Sequence, residues 1–392
     1  MNRLRIAVVA AGDPADPRVW SGTPRGIFDG VRALGHEAVA VDALPARGRS
    51  ARTRARIAAK RWLGGGPRLR PRTAMAAAYF GEEWGQALAA TARDRMRDER
   101  FDAILQPSDG WITPDGDVAM FIDMTSHQDI AVREFGTGGI ADPRIDASRE
   151  RGAMDAYAQA AAVCAATPWA ARSVIEDYGI DSAKVHAVGI GGGGLPMGEA
   201  LDRDWAAPRF LFVGTQWVRK NGPTVLEAFR RVRERHREAE LHLVGDHPDL
   251  TEAGVIPHGF LRKNDAQAQQ RLRDLYADAT CLVVPGRFEA AGIVYLEAAA
   301  AGIPSICATV GGAPDFVGQY GRSVAPGDPD ALSTAMLELC DPELARTLGT
   351  AAKRRAPEFT WERVVQRMLV ALGHGDGKTE PHWTSARGVD ER

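Results

Sequence analysis

Pro285-Gly-Arg-Phe-Glu-Ala-Ala-Gly-Ile-Val-Tyr-Leu-Glu-Ala-Ala-Ala-Ala-Gly-Ile-Pro304 lies between two short apolar runs, Cys281–Val284 and Ser305–Ala308. The order reads as strand, loop, an alanine-rich helix beginning near Ala291, and strand. That alternation belongs to a parallel sheet covered by helices, because parallel neighbours need a long crossover to bring the chain back to its starting edge. At the helix start the amides of Gly292, Ile293 and Val294 have no intrahelical partner. In an open α/β fold they point out of the carboxyl edge of the sheet, where ligands bind. Free amides and the helix dipole suit an anion, and Gly292 lets a phosphate come close. Glu289 and Glu297 flank this cradle. Carboxylates make electrostatic sense there when they accept hydrogen bonds from hydroxyls, and a nucleoside diphosphate sugar carries such hydroxyls on its ribose and hexose. The plainer alternative is two solvated glutamates at a helix end.

Upstream, Phe210-Leu-Phe-Val-Gly-Thr-Gln-Trp-Val-Arg-Lys-Asn-Gly-Pro223 is a strand and a glycine turn, with Arg219-Lys220 just before a helix from Thr224. Paired cations at the carboxyl end of a strand suit a diphosphate leaving group that no metal neutralises. A third segment, Trp20-Ser-Gly-Thr-Pro24, opens the helix Arg25–Leu34. Its small residues Gly22 and Thr23 let a ligand approach the backbone, or serve simply as a turn and N-cap.

The same alternation runs through most of the chain. Strands are expected at Ile6–Ala10, Ala38–Val41, Ala103–Gln106, Met120–Ile122, Val163–Ala165 and Val185–Val188, then at Phe210–Val213, Leu241–Val244, Val255–Pro257, Cys281–Val284 and Ser305–Ala308. Thr224–Arg235 is the clearest helix, with Val225, Phe229 and Val232 on one face. The length of 392 residues suits two domains. The glycine run from Gly189 divides them, at residues 1–200 and 205–356. A last helical segment, residues 357–372 with Trp361–Leu372 as its helix, is expected to complete the first domain, and residues 373–392 read as a disordered polar tail.

These segments together resemble the family-four glycosyltransferases of the GT-B fold: Glu289 and Glu297 with seven residues between, Gly214 to Lys220, Ser21-Gly22-Thr23-Pro24, and Gly311-Gly312 after a strand. The resemblance covers roughly residues 4 to 370 and is strongest from 208 to 330. It implies two Rossmann-like domains facing each other across a cleft. It also implies an NDP-sugar donor held mainly by the second domain, no metal or other cofactor, and transfer with retention of configuration. By the resemblance Glu297 holds the ribose and Glu289 contacts the donor sugar. Gly292, Ile293 and Val294 offer amides to the phosphates, Lys220 binds the same group, and Thr167 faces the nucleotide. Two departures stand out. Thr215 follows Gly214 where the family often has Arg, so Arg219 is read as the relocated second cation. Asp123 ends the strand Met120–Ile122 where many members have histidine. Asp123 is therefore the leading candidate for touching the hexose or acceptor, with Thr125 and His127 next; a turn cap is the alternative.

The expected activity is hexosyl transfer from a UDP- or GDP-sugar to a small soluble acceptor, as in specialised-metabolite or antibiotic biosynthesis. Rivals are a membrane-surface transferase acting on a lipid or envelope glycan, an NDP-sugar epimerase of the same fold, and a non-catalytic nucleotide-sugar binder. Ten basic and no acidic residues from Arg47 to Arg72 raise the membrane rival, though a solvated helix explains them more simply. A formal charge of -2 gives no pull toward nucleic acid. Only 6 of the 49 basic residues are lysine, a bias fitting a GC-rich bacterial genome. No stretch approaches 18 apolar residues, the first apolar run is too short for a signal sequence, and the expected location is the cytoplasm. Four scattered cysteines read as small buried residues. Gly189-x-Gly191-x-x-Gly194 leads into Leu195-Pro196 rather than a helix, so it reads as an interdomain hinge rather than a dinucleotide fingerprint. Asp115-Gly-Asp117 reads as a turn rather than a metal-binding pair.

Overall fold

The structure, a computed structural model, describes residues 3–46, 52, 55, 59, 81–113, 116–133, 142–192, 203–262, 265–375 and 379–383. The elements in chain order are β1 (Arg5–Ala10), α1 (Thr23–Ala33), β2 (Glu37–Asp42), α2 (Glu82–Met96), β3 (Ala103–Pro107), β4 (Val118–Ile122), α3 (Ser126–Val132), α4 (Pro143–Gln159), β5 (Ala162–Ala165), α5 (Pro168–Glu176) and β6 (Val185–Ala187). Then come β7 (Arg209–Val213), α6 (Gly222–Arg235), β8 (Glu240–Val244), β9 (Val255–Gly259), α7 (Ala266–Asp278), β10 (Cys281–Val284), α8 (Ile293–Ala301), β11 (Ser305–Ala308), α9 (Ala313–Val317), β12 (Arg322–Val324), α10 (Pro329–Glu338), α11 (Pro342–Arg355) and α12 (Trp361–Ala371).

Two compact units result: residues 1–190 with 361–383, and residues 191–360. The first contains a six-stranded sheet in the order β2-β1-β3-β4-β5-β6, the second one in the order β12-β11-β10-β7-β8-β9. Every strand pair is parallel. The central strands are largely apolar because helices cover both faces; Val8, Met120, Phe121, Leu282 and Val283 are each 0% exposed.

All eleven expected strands are present; the twelfth, β12, is new. It has three residues, Arg-Ser-Val, too short and too polar to signal a strand. The helix of the decisive segment starts at Ile293 rather than near Ala291, because the loop holds the chain until Gly292 turns it. Residues 357–360 fall with the second unit rather than with the last helix. The tail from 373 is not wholly without structure: Trp383 is 4% exposed and its backbone N–H donates to the Ala187 carbonyl at 2.9 Å. All four cysteines are buried and free. The basic stretch 47–72 lies outside the described residues except for Arg52, Ala55 and Ala59.

In the first unit α1 packs on α12 through two glycines. A Cβ on Gly26 would stand 2.1 Å from Trp361 Cε2, and one on Gly30 2.7 Å from the Trp361 carbonyl oxygen. Gly26→Ala therefore sets two effects against each other. Helix propensity favours alanine by about 1 kcal/mol, whereas forcing a methyl into a filled contact costs about 1–3 kcal/mol. The overlap is with a rigid indole, so the variant is expected to melt below the parent; an equal or higher Tm would show that Trp361 has room to move.

Candidate functional site

The second sheet reverses direction at one point. From β7 the chain goes outward to β8 and β9, then returns to the other side for β10, β11 and β12. Loops leaving adjacent strands at such a switch point diverge and open a crevice at the carboxyl edge. Here they are the loops after β7 and β10, which carry the cations and the first glutamate. They are tied together: the Arg287 N–H donates to the Arg219 carbonyl at 2.8 Å, and Arg219 Nη1 donates to the Phe288 carbonyl at 3.0 Å. The Gly312 N–H, from beyond β11, donates to the Glu289 carbonyl at 2.9 Å.

Sequence reasoning placed Glu289 on the sugar and Arg219 and Lys220 on the diphosphate. The structure gathers all three. Glu289 is 5% exposed, and its Oε1 lies 2.6 Å from Lys220 Nζ and 3.2 Å from Arg219 Nη1. One carboxylate between two cations leaves one net positive charge beside the start of α8. There Gly292 adopts φ +80°, and a Cβ on it would meet Tyr295 Cε2 at 2.4 Å. The Tyr295 hydroxyl donates to the Val284 carbonyl at 2.7 Å, fixing the helix start to the end of β10. Among the described residues the amides of Gly292, Ile293 and Val294 donate to no backbone or side-chain acceptor. Glu297, one turn on, accepts a hydrogen bond from the Tyr276 hydroxyl at 2.9 Å. Tyr276 comes from α7 and was not found by sequence reasoning, because nothing in a buried helical tyrosine signals a polar partner on another helix. Asn221 ends the cation loop at φ +63°; its Oδ1 accepts from the Thr224 hydroxyl at 2.8 Å.

The remaining candidates belong to the first unit. Asp123, half-buried at the end of β4, is pushed up to about 6, first by burial and then by Asp109, with its own and the Met124 backbone N–H opposing. Asp109 was missed; its carboxylate accepts from the Ser126 hydroxyl at 2.7 Å and the Tyr157 hydroxyl at 3.1 Å. Thr125 is the N-cap of α3 in a reciprocal capping box with Gln128, so its hydroxyl is committed to the helix. His127 is exposed, with Nδ1 3.2 Å from Glu150 Oε1 and its backbone N–H donating to the Tyr178 hydroxyl at 2.9 Å. Beneath it Asp129 and Arg149 form a buried pair at 2.6 Å. Thr167 is 0% exposed, and its hydroxyl accepts from the Ala170 N–H at 3.1 Å as the N-cap of α5. Its hydroxyl thus has a structural partner. Gly22 is the left-handed N-cap of α1, and Thr23, 4% exposed, is that helix's first residue. Among the described residues no group of three or more His, Cys, Asp or Glu side chains is placed to hold a metal ion.

Two doubly wound sheets, the second with two cations and a free helix start at its switch point, have the architecture of the GT-B fold. Residues 207–341, within the second unit, match the model of the family described as "Glycosyl transferases group 1". The fold as a whole is similar to that of a sucrose-phosphate synthase from Thermosynechococcus elongatus, with a TM-score of 0.64 at 18% identity, over 95% of this chain and 98% of that one. In sequence the chain is 30% identical over 170 residues to the O-antigen chain mannosyltransferase B of Escherichia coli, 41% of this chain and 44% of that protein. It is 40% identical over 97 residues to the D-inositol 3-phosphate glycosyltransferase of Streptomyces coelicolor, 24% of this chain and 21% of that protein. The chain thus spans less than half the length of these curated relatives. The resemblance to glycosyltransferases of the GT-B fold is borne out.

Proposed function

We propose that this protein transfers a hexosyl group from a nucleoside diphosphate sugar to a small soluble acceptor, with retention of configuration and without a metal ion. The observation that carries the reading is the joining of Arg219, Lys220 and Glu289 beside the free amides of 292–294 at the switch point of the second sheet. Diphosphate would take the amides and the cations, Glu297 the ribose hydroxyls, and Asp123 the hexose or the acceptor nucleophile. Charge developing on the departing phosphate is offset by groups already in place. A leaving phosphate oxygen can take the acceptor proton, so no dedicated base is required. The names of the relatives, among them a mannosyltransferase and an inositol phosphate glycosyltransferase, support sugar transfer. UDP or GDP as carrier, a specialised-metabolite acceptor and a cytoplasmic setting are part of the same proposal. Among the described residues no helix is long and apolar enough to cross a membrane.

The test is a thermal-shift screen of UDP, GDP, dTDP and their sugars in excess EDTA, followed by turnover of the best donor. One nucleoside diphosphate is expected to raise Tm, and transfer is expected to survive the chelator. An absolute need for magnesium or manganese would remove the metal-free part. A change in the free sugar without any acceptor would point to the epimerase.

A further inference from the structure

Arg203 lies near the start of the second unit and donates to no residue assigned to the ligand, yet four of its N–H donors are used. Nε donates to the Ala277 carbonyl at 2.9 Å, Nη1 to Gly302 at 3.3 Å, and Nη2 to Tyr276 at 3.2 Å and Ala301 at 3.0 Å. These carbonyls close two helices. Tyr276 and Ala277 belong to the last turn of α7, and Ala301 and Gly302 are the last residue and the C-cap of α8. The last carbonyls of a helix have no intrahelical partner and sit at the negative end of its dipole. One planar fork satisfies two such ends together, which the point charge of a lysine cannot do. The guanidinium carbon also lies 4.9 Å from the Trp205 ring centroid. Burial lowers Arg203 to about 10, so it stays charged at neutral pH.

The helices stapled here are the two that build the nucleoside side of the proposed site. α8 carries the free amides at its start and Glu297 in its middle, and α7 carries Tyr276, whose hydroxyl holds Glu297 at 2.9 Å. Tyr276 therefore gives its carbonyl to Arg203 and its hydroxyl to Glu297. We propose that Arg203 is a positioning residue for nucleotide binding: by joining the ends of α7 and α8 it sets where Glu297 stands without touching the ligand. This rests on the reading of α8 as the diphosphate and ribose site.

The experiment is calorimetric titration of the nucleoside diphosphate that binds the parent, with Arg203→Met, Arg203→Lys, Glu297→Gln and the double variant Arg203→Met/Glu297→Gln. Arg203→Met is expected to weaken binding about tenfold at a temperature where it is folded, and Arg203→Lys less, since charge is kept and the fork lost. In the Glu297→Gln background the Arg203→Met effect is expected to fall away, because residues acting through one contact are not additive. A purely structural arginine would lower Tm in both backgrounds and leave affinity unmoved. Parental affinity in both Arg203 variants, or an undiminished Arg203→Met effect in the Glu297→Gln background, would overturn the proposal while the site stands. A parent that binds none of the nucleotides would overturn the functional reading itself, and this inference with it.

Discussion

Glu289→Gln is expected to melt well below the parent when no nucleotide is present, and to be raised more than the parent by nucleoside diphosphate. The carboxylate is the shared partner of Lys220 and Arg219, whose side chains are 11% and 13% exposed. Deleting its charge leaves two cations close together with little water to screen them. Removing one partner of a buried ion pair costs about 3–5 kcal/mol, and the retained amide oxygen places glutamine at the lower end. Diphosphate bound as proposed would bring negative charge back to the same cations, so the ligand-induced rise in Tm is expected to be larger in the variant. Melting curves with and without the nucleotide decide it. Equal melting temperatures and equal ligand shifts would mean that the three side chains contribute no coupled electrostatic energy.

The second large effect belongs to Asp123→Asn, which is expected to leave nucleotide affinity unchanged and to slow transfer at least tenfold, about 1.4 kcal/mol of barrier. The groups proposed to hold the diphosphate and ribose, Arg219, Lys220, Glu297 and the amides of 292–294, all belong to the second unit, so a fall in affinity would contradict that proposal. Stability supplies a separate readout. The folded protein holds the Asp123 proton more tightly than the unfolded chain, with a pKa of about 6 against 3.8. Ionising it therefore costs stability as pH rises from about 4 through 6, and the cost persists above that. Asparagine removes it, so the Tm difference between variant and parent is expected to move in the variant's favour across that window. A flat difference would show that the carboxyl feels no burial. In the parent, transfer is expected to rise through pH 6 if the carboxylate is the working form.

The sequence revealed strands better than side-chain partners, for a physical reason. A buried parallel strand announces itself in consecutive residues, and the paired glutamates announce a helix start within a few more. The Lys220–Glu289 contact joins residues 69 apart and arises only because β7 and β10 are neighbours, an order that local periodicity does not encode. Tyr276 and Arg203 were illegible for the same cause, since each acts on a different helix. Asp109 carried no signal in the sequence and is a carboxylate that raises Asp123. Thr125 and Thr167, offered as ligand contacts, also accept from backbone N–H groups as the N-caps of α3 and α5, a local role that the sequence pattern did not single out.

The closure of the first unit by a helix from the far end of the chain sets an order on synthesis. Its strands and α1 emerge from the ribosome early, but α12, whose Trp361 covers Gly26 and Gly30, is made only after the whole second unit. At ordinary elongation rates the glycine track of α1 waits on the order of 15–65 s for its cover. During that wait Phe121, whose ring centroid ends 6.3 Å from that of Trp361, lacks its final neighbour. The unit begun first is thus the unit finished last, and a nascent chain stalled within the second unit would leave that apolar groove open to chaperones.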